Sequence, residues 1–199
     1  MTAPPAYTRH GNSSSKMGQG NANRADPIAD IHRRLAAAAV DYLVIVGWVA
    51  VVVAIGVGVR AFEPAVAAAL FGTRWSAQTT GFVALTLPVG LYFAWSEAPV
   101  RAATVGKRVS GLRVTDMNGS RLSVGRSVLR TAVKLFPWEL SHTAIWWFAL
   151  DGLSASPIAT VLLVVVWSLV AASVVSVVAT GRAVYDFAAG TRVVRSPAD

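Results

Sequence analysis

The stretch HRRLAAAAVDYLVIVGWVAVVVAIGVGVR, His32–Arg60, decides the fold class of this chain. Between Arg34 and Arg60 lie 25 residues with a single charged side chain, Asp41, and a run of that length can cross the hydrocarbon core of a bilayer as an α-helix. A carboxylate inside a membrane is costly and usually marks a functional site. The stretch therefore predicts a transmembrane helix and makes Asp41 the first candidate for a proton or cation site.

Composition agrees with an integral membrane protein. The 199 residues are 54% hydrophobic and only 14% charged, with a mean hydropathy of +0.53, whereas soluble domains carry more charge. The sequence has no cysteine, which excludes disulfides and thiol chemistry, and it has three histidines. No set of nucleophile, acid and base is apparent. We therefore predict no cofactor, no metal centre and no enzymatic activity.

The basic residues fall into groups that alternate along the chain. Five precede the first apolar run, two follow it, eight lie between residues 101 and 134, and three lie between 182 and 195, for a net charge of +8. Alternation of this kind is the positive-inside pattern, and no aromatic residues interleave with the arginines as nucleic-acid stacking would require. The pattern predicts a cytoplasmic N-terminus and argues against nucleic acid as a partner.

Three further apolar segments follow the first. Residues 75–95 cover the thickness of a bilayer, with tryptophans at both ends and Pro88 as a predicted kink. Residues 157–180 are almost purely apolar and predict another span. Residues 135–150 are shorter and carry Glu139 and His142, so they form either a short crossing or a re-entrant or surface helix.

The predicted fold class is therefore an all-α membrane protein, a bundle of about four transmembrane helices, or of three if residues 135–150 are re-entrant. With four crossings the C-terminus is cytoplasmic and sixteen of the 18 basic residues lie inside, against thirteen with three. The positive-inside rule favours four. We predict a disordered cytoplasmic tail over residues 1–30, which are rich in small and polar residues, a transmembrane domain over 31–195 and a C-terminal tail over 196–199.

The segment after the second span differs from the apolar segments in its residue pattern. Apolar and polar residues alternate from Leu112 to Asp116, an Asn118-Gly119 turn follows, and Leu122 comes after the turn. This pattern predicts a short cytoplasmic β-hairpin.

An amphipathic helix is predicted next, capped by Ser123 and lying along the inner membrane surface. The basic residues before it favour contact with anionic head groups or with an acidic partner, and the candidates are Lys107, Arg108 and Arg113.

Three segments in this order resemble the RDD family of small bacterial membrane proteins: the seven-residue spacing from Arg34 to Asp41, then TVGKRVSGLRVTDMNG, then YDFAAGTRVV. The family is named for an arginine and two aspartates, which the resemblance assigns to Arg34, Asp41 and Asp186. The last motif usually contains His-Asp, whereas Tyr185 precedes Asp186 here. The resemblance implies a bacterial inner-membrane protein that transports an unidentified ligand, with sodium/proton exchange proposed for some members.

Two interpretations of Asp41 stay open. It is a proton or cation site, or it is a structural carboxylate that pairs with a cytoplasmic arginine or is hydrated near the surface. The separation from Arg34 is close to two helical turns, about 10 Å, so the two side chains share a face without touching. The plausible cytoplasmic partners are Arg108, Arg113 and Arg182.

Glu139 and His142 lie three residues apart on one helix face. One such pair is too few for a di-metal site, so we interpret it as a polar contact in the bundle or as an extension of a proton relay from Asp41.

The last span carries a stripe of small residues at four-residue steps, Ser168, Ala172, Ser176 and Thr180, which allows close helix packing within the chain or in a homo-oligomer. We expect a small inner-membrane protein that moves a small ion or solute. The alternative is a non-transporting scaffold or lipid-binding accessory subunit, and membrane lipids are partners in either case.

Overall fold

The computed structural model describes residues 27–151 and 157–196, and it is mostly helical. In chain order its elements are α1 (Pro27–Phe62), α2 (Pro64–Phe71), α3 (Arg74–Gly81), a π-helical turn (Phe82–Thr86), α4 (Leu87–Ser96), α5 (Val105–Val109), β1 (Leu112–Asp116), α6 (Val124–Asp151), α7 (Pro157–Thr180), α8 (Val184–Ala189) and β2 (Thr191–Arg195). Helix α1 is described from Pro27 onward and so includes the last four residues of the predicted tail, 27–30. The predicted disorder of residues 1–26 and the end of the C-terminal tail, 197–199, lie outside the described residues.

Helices α1 and α7 are long and apolar enough to cross a membrane, over Ile31–Phe62 and Pro157–Thr180. Their apolar side chains point mostly outward: Leu43 and Val57 on α1 and Trp167 and Val175 on α7 are all exposed. Two long helices covered with exposed apolar side chains are unsuited to water and suited to lipid. The chain is therefore a helical membrane protein, as predicted.

The predicted second span is a helical path from Arg74 to Ser96 that widens into the π-helical turn at its centre. Pro88 lies two residues after the turn, and its nitrogen, which carries no hydrogen, cannot donate to the carbonyl four residues earlier. That carbonyl belongs to Ala84, and it accepts a hydrogen bond of 2.9 Å from the indole Nε1 of Trp48 on α1. The proline thus widens the helix and frees an acceptor for α1.

Helix α6 joins two segments that the sequence analysis treats separately. It runs without a break for 28 residues, from the start of the predicted surface helix through the ambiguous residues 135–150. Ser123 lies at its start as predicted, where its hydroxyl accepts from the backbone N–H of Arg126 at 3.3 Å. The prediction of a separate surface helix is wrong. Arg130 and Lys134 pair with the buried carboxylate of Glu97, so they do not need lipid head groups as counter-charges.

The predicted β-hairpin is also wrong. Strand β1 pairs antiparallel with β2, with Leu112 opposite Arg195 and Asp116 opposite Thr191. The turn exists, since the Asp116 carboxylate accepts from the backbone N–H groups of Asn118 and Ser120 at 2.9 and 2.8 Å. The chain then leaves toward α6 and the β-branched segment near the C-terminus takes the place of the second hairpin strand.

The short elements α5, β1, α8 and β2 gather at one end of the helices, which we call the polar end. Helix α1 packs beside α5, and α6 packs beside α4, α7 and α8. The Arg34 guanidinium near the start of α1 donates to the carbonyl of Val193 in β2 at 3.1 Å. The starts of α1 and α6 and the ends of α4 and α7 therefore all lie at the polar end. Below it, Ile45, Val89 and Phe93 form a small apolar core between α1 and α4.

Candidate functional site

A buried group of charged side chains occupies the polar end, centred on Glu97 just after α4. We call it the charge cluster, and its members are Glu97, Lys107, Arg130, Lys134 and Asp186. Glu97 has no exposed surface. Burial by itself raises the pKa of this carboxyl, but the positive charges of Lys134, Arg130 and Lys107 outweigh it and hold the pKa well below its usual value. Glu97 is therefore an ionised carboxylate that binds three basic side chains.

Arg130 connects the two carboxylates of the charge cluster. It is 1% exposed, its Nε donates to Asp186 Oδ1 at 2.9 Å, and its Nη1 contacts Glu97. Because one planar guanidinium reaches acids from two elements, it fixes α8 and the end of α4 on α6. The ring of Tyr185 covers the guanidinium at 4.8 Å.

The Asp186 carboxylate also accepts hydrogen bonds from a backbone N–H just before α8 and from a side chain just after it. Its Oδ2 accepts from the N–H of Ala183 at 3.0 Å, and its Oδ1 accepts from the hydroxyl of Thr191 at 3.0 Å. Burial raises the pKa of the neighbouring Tyr185 phenol, so this residue stays neutral where the family usually has an imidazole. Asp186 thus secures α8 and the start of β2 to Arg130.

Asp41 is 5% exposed and accepts three hydrogen bonds. Its Oδ1 accepts from the Tyr92 hydroxyl at 2.8 Å and from the Gly106 N–H at 2.9 Å, and its Oδ2 accepts from the Thr104 hydroxyl at 2.6 Å. Hydroxyl and amide donors satisfy the carboxylate without a counter-charge. Asp41 therefore holds α5 and the end of α4 against α1.

The arginine partners predicted for Asp41 are not the ones that the structure gives it. Arg182 donates instead to the carbonyls of Thr191 and Asp186, both at 3.1 Å. Within residues 31–150 and 157–196, no ion pair joins Asp41 to Arg108 or Arg113. The three residues that the resemblance singles out thus act at separate joints: Arg34 joins α1 to β2, Asp41 joins α1 to α5, and Asp186 joins α8 to α6.

A second group of polar residues lies farther along α6, and we call it the Glu139–His142 cluster. The carboxylate of Glu139 accepts from the Gln78 amide and, at 2.5 Å, from the Thr86 hydroxyl. The Nδ1 of His142 lies 3.4 Å from the Thr86 hydroxyl and 3.7 Å from Glu139 Oε2. Trp138 packs edge-on against the imidazole, with ring centroids 5.1 Å apart. The cluster thus brings together α3, the π-helical turn and α6.

Sequence reasoning missed Gln78, Thr86 and Glu97 as members of these clusters. The first two are uncharged residues within an apolar span, and Glu97 reads only as the end of a helix. A polar amide inside a predicted crossing, in its first turn, is the one feature that points to a buried contact for Gln78. Over the residues that the structure describes, no group of three or more His, Asp or Glu side chains is placed to hold a metal ion.

The predicted lipid-contact residues separate into two kinds. Lys107 is buried and its Nζ lies 2.5 Å from Glu97, so the prediction of lipid contact is wrong for this residue. Its position in α5, capped by Thr104, turns its side chain inward. Arg108 and Arg113 line open cavities on the other side of α5 and β1.

The small-residue stripe of α7 lies partly on its outward face. Ser168, Ala172 and Thr180 are exposed, whereas Ser176 is half-buried and donates to the carbonyl of Arg182 at 2.7 Å. A homo-oligomer through this face stays a prediction.

Comparison with known proteins gives one assignment. The model of the RDD family matches residues 28–190, which include the first two segments on which the resemblance depends and YDFAAG of the third. No curated protein and no solved structure matches the chain. The match covers most of the sequence and extends from the start of α1 to Gly190 after α8. This chain therefore belongs to the RDD family.

Proposed function

We propose that this protein crosses the bacterial inner membrane four times and moves protons or a small cation across it, with Glu139 and His142 as the groups that exchange the proton or bind the cation. The observation that carries the proposal is the Glu139–His142 cluster itself. A carboxylate and an imidazole face a hydroxyl and an amide at a π-helical turn, and such turns are frequent at functional sites. Ionisable residues within crossing helices commonly form ion pathways and proton relays.

The polar end supports the four crossings. The start of α1 and the end of α4 both lie at this end. The start of α6 and the end of α7 lie there as well. Each pair of helical paths is consistent with one crossing out and one crossing back. The basic residues concentrate at the same end, which the positive-inside rule places in the cytoplasm.

Labelling of single cysteines in this cysteine-free chain tests the topology. We expect Ser196→Cys, next to β2, to be protected from an impermeant reagent in intact cells and Ala61→Cys, at the far end of α1, to react with it. Both should react after the membrane is opened. Labelling of Ser196→Cys in sealed cells would contradict the four-crossing arrangement.

The depth of the Glu139–His142 cluster supports its proposed role. Glu139 lies nine residues beyond Arg130 on α6, which is about 13 Å along the helix axis. Thr86 lies eleven residues before Glu97 on the neighbouring helical path, about 16 Å along the axis. For a charge cluster at the membrane surface, both distances are consistent with a Glu139–His142 cluster near the middle of a hydrocarbon core about 30 Å thick, which supports the proposal.

Asp41 is less suited to this task than Glu139. Its two oxygens already accept three hydrogen bonds that hold α5 in place, and protonation would weaken all three. Glu139 accepts from two side chains and has an imidazole beside it as a second titratable group. The proposal therefore separates a structural aspartate from a functional glutamate.

Flux in liposomes with imposed pH and cation gradients tests the proposal. We expect Glu139→Gln to fold normally and to lose flux by about 100-fold, since the amide keeps the size and hydrogen bonding but cannot exchange a proton. His142→Asn should also reduce flux. Glu63→Gln is the matched control, because this carboxylate is exposed between α1 and α2.

Two results would overturn the proposed function. The first is wild-type protein that moves neither protons nor any small cation offered, which would favour a scaffold or accessory role. The second is a folded Glu139→Gln variant with the flux of wild type. Asp41→Asn separates the two roles in the same assay: we expect lower thermal stability in detergent, with flux retained by the protein that remains folded.

A further inference from the structure

Four arginines line one open cavity of about 430 Å³ at the polar end. They are Arg101 in the loop before α5, Arg108 in α5, Arg113 in β1 and Arg121 after the Asp116 turn. We call this cavity the arginine pocket. It includes no residue of the charge cluster, whose basic side chains come from α5 (Lys107) and α6 (Arg130 and Lys134).

The eight basic residues between 101 and 134 divide cleanly by partner. Lys107, Arg130 and Lys134 surround Glu97, and Arg126 lies 3.8 Å from Asp116. The other four line the arginine pocket. Across the described parts of the chain, none of these four guanidinium groups has a carboxylate within ion-pair distance.

Two side chains that line the pocket also have buried polar atoms without partners. The Nε of Arg113 is buried and, like the buried hydroxyl of Thr115 beside it in β1, has no hydrogen-bond partner within the part of the molecule that the structure describes. An unpaired buried donor destabilises a protein, and like charges around one cavity repel each other. An anion in the arginine pocket would relieve the repulsion among the four guanidinium groups.

Backbone hydrogen bonds hold the walls of the pocket in place. The N–H of Val114 donates to the carbonyl of Ala102 at 2.8 Å, and the N–H of Ser196 donates to the carbonyl of Gly111 at 2.8 Å. Pairing of β1 with β2 fixes the same strand from its other edge. The arginines therefore project from a formed framework, so little ordering opposes binding.

We propose that the arginine pocket binds a phosphate-bearing anion. Guanidinium groups donate paired hydrogen bonds to phosphate oxygens, and several of them around one cavity match the multiple charge and tetrahedral shape of a phosphate. The phosphate comes from a lipid head group or from a soluble phosphate compound. An adjoining cavity of about 630 Å³ shares Arg108 with the pocket and is also lined by Arg33 and Val40 of α1. Its lining does not distinguish a lipid phosphate from a soluble one.

This site is independent of the proposed ion flux. The arginine pocket includes no residue of the Glu139–His142 cluster and lies at the polar end. Binding to it is therefore measurable whether or not the protein transports an ion.

Calorimetric titration of the full chain in nanodiscs of neutral phosphatidylcholine tests the proposal. One arm adds inorganic phosphate, with chloride at equal ionic strength as its reference. The other adds dioctanoyl phosphatidylglycerol, with dioctanoyl phosphatidylcholine as its reference. Binding in the first arm identifies a soluble phosphate as the source, and binding only in the second identifies a lipid head group.

Variants locate the binding. We expect Arg113→Gln to weaken the binding seen in either arm by about tenfold, the loss typical of a hydrogen bond to a charged group. Arg126→Gln is the matched control, since it removes the same charge from the same end but does not line the pocket. If Arg113→Gln does not fold, Arg121→Gln at the exposed rim replaces it.

The proposal is overturned if neither phosphate nor phosphatidylglycerol binds more strongly than its reference. It is equally overturned if the Arg126→Gln control loses as much binding as the pocket variant, because binding would then follow the total positive charge of this end.

Discussion

Replacing Arg130 with glutamine is expected to lower the free energy of unfolding by about 3–5 kcal/mol, the usual effect of removing one partner from a buried ion pair. The guanidinium is 1% exposed and it is the cation bonded to Asp186 through both Nε and Nη2. Its loss leaves the Asp186 carboxylate buried without a counter-charge, while Glu97 keeps Lys107 and Lys134. Thermal unfolding in detergent, followed by loss of monodisperse protein, measures the effect.

Two further variants distinguish charge pairing from general damage. Arg126→Gln, on the same helix with its side chain 51% exposed, should change stability by no more than about 1 kcal/mol. The double change of Arg130→Gln with Asp186→Asn should be less destabilising than the sum of the single changes, because it removes the uncompensated charge. Simple additivity would contradict the pairing on which this prediction depends.

Gly106→Ala is expected to prevent stable assembly of the polar end. A Cβ atom at Gly106 would lie 2.0 Å from the carbonyl oxygen of Ala37 and 2.9 Å from the carboxyl carbon of Asp41. Ala37 belongs to the backbone of α1, so relief requires α5 to move away from that helix. The two hydrogen bonds that Asp41 accepts from Thr104 and Gly106 would then be lost together, and only the one from Tyr92 on α4 would remain.

The yield of monodisperse protein and its thermal stability in detergent measure this effect. Gly125→Ala provides the control, because a Cβ at Gly125, in the first turn of α6, meets no atom within 4 Å. Alanine is also the better helix former at that position, so the control should be at least as stable as wild type. Equal behaviour of the two alanine variants would contradict the close packing of α5 on α1.

The helical elements could be predicted from the sequence where their composition decides the outcome alone. The apolar runs of α1 and α7 are too long and too apolar to be exposed to water, so they predict membrane helices. The charged or polar residues that flank each run give its approximate bounds. The strand at Leu112–Asp116 also follows from local alternation. Its partner does not, because the turn after Asp116 is compatible with a hairpin and only the tertiary fold brings Thr191–Arg195 alongside instead.

The site could be predicted only as a set of isolated residues. The sequence singles out Asp41 as a carboxylate in an apolar run, but its donors come from Tyr92, Thr104 and Gly106, more than fifty residues away. The sequence also shows eight basic residues between 101 and 134, but it does not show which of them pair with Glu97. Lys107 and Arg108 are adjacent in sequence, and one is buried in an ion pair while the other is exposed. Which of two neighbouring residues is buried depends on how α5 is oriented against the rest of the protein.

The pairing of β1 with β2 has a consequence for the biosynthesis of this protein. Strand β1 is translated before α6 and α7, and β2 only after both, so the first strand must wait for two long helices to be made and inserted. During that interval its edge is unpaired, and an unpaired edge invites association with other chains. Arg34, which is translated before β1, waits even longer for its acceptor in β2. The polar end is thus completed last, by the final residues of the fold, and each nascent chain needs its edge protected until then.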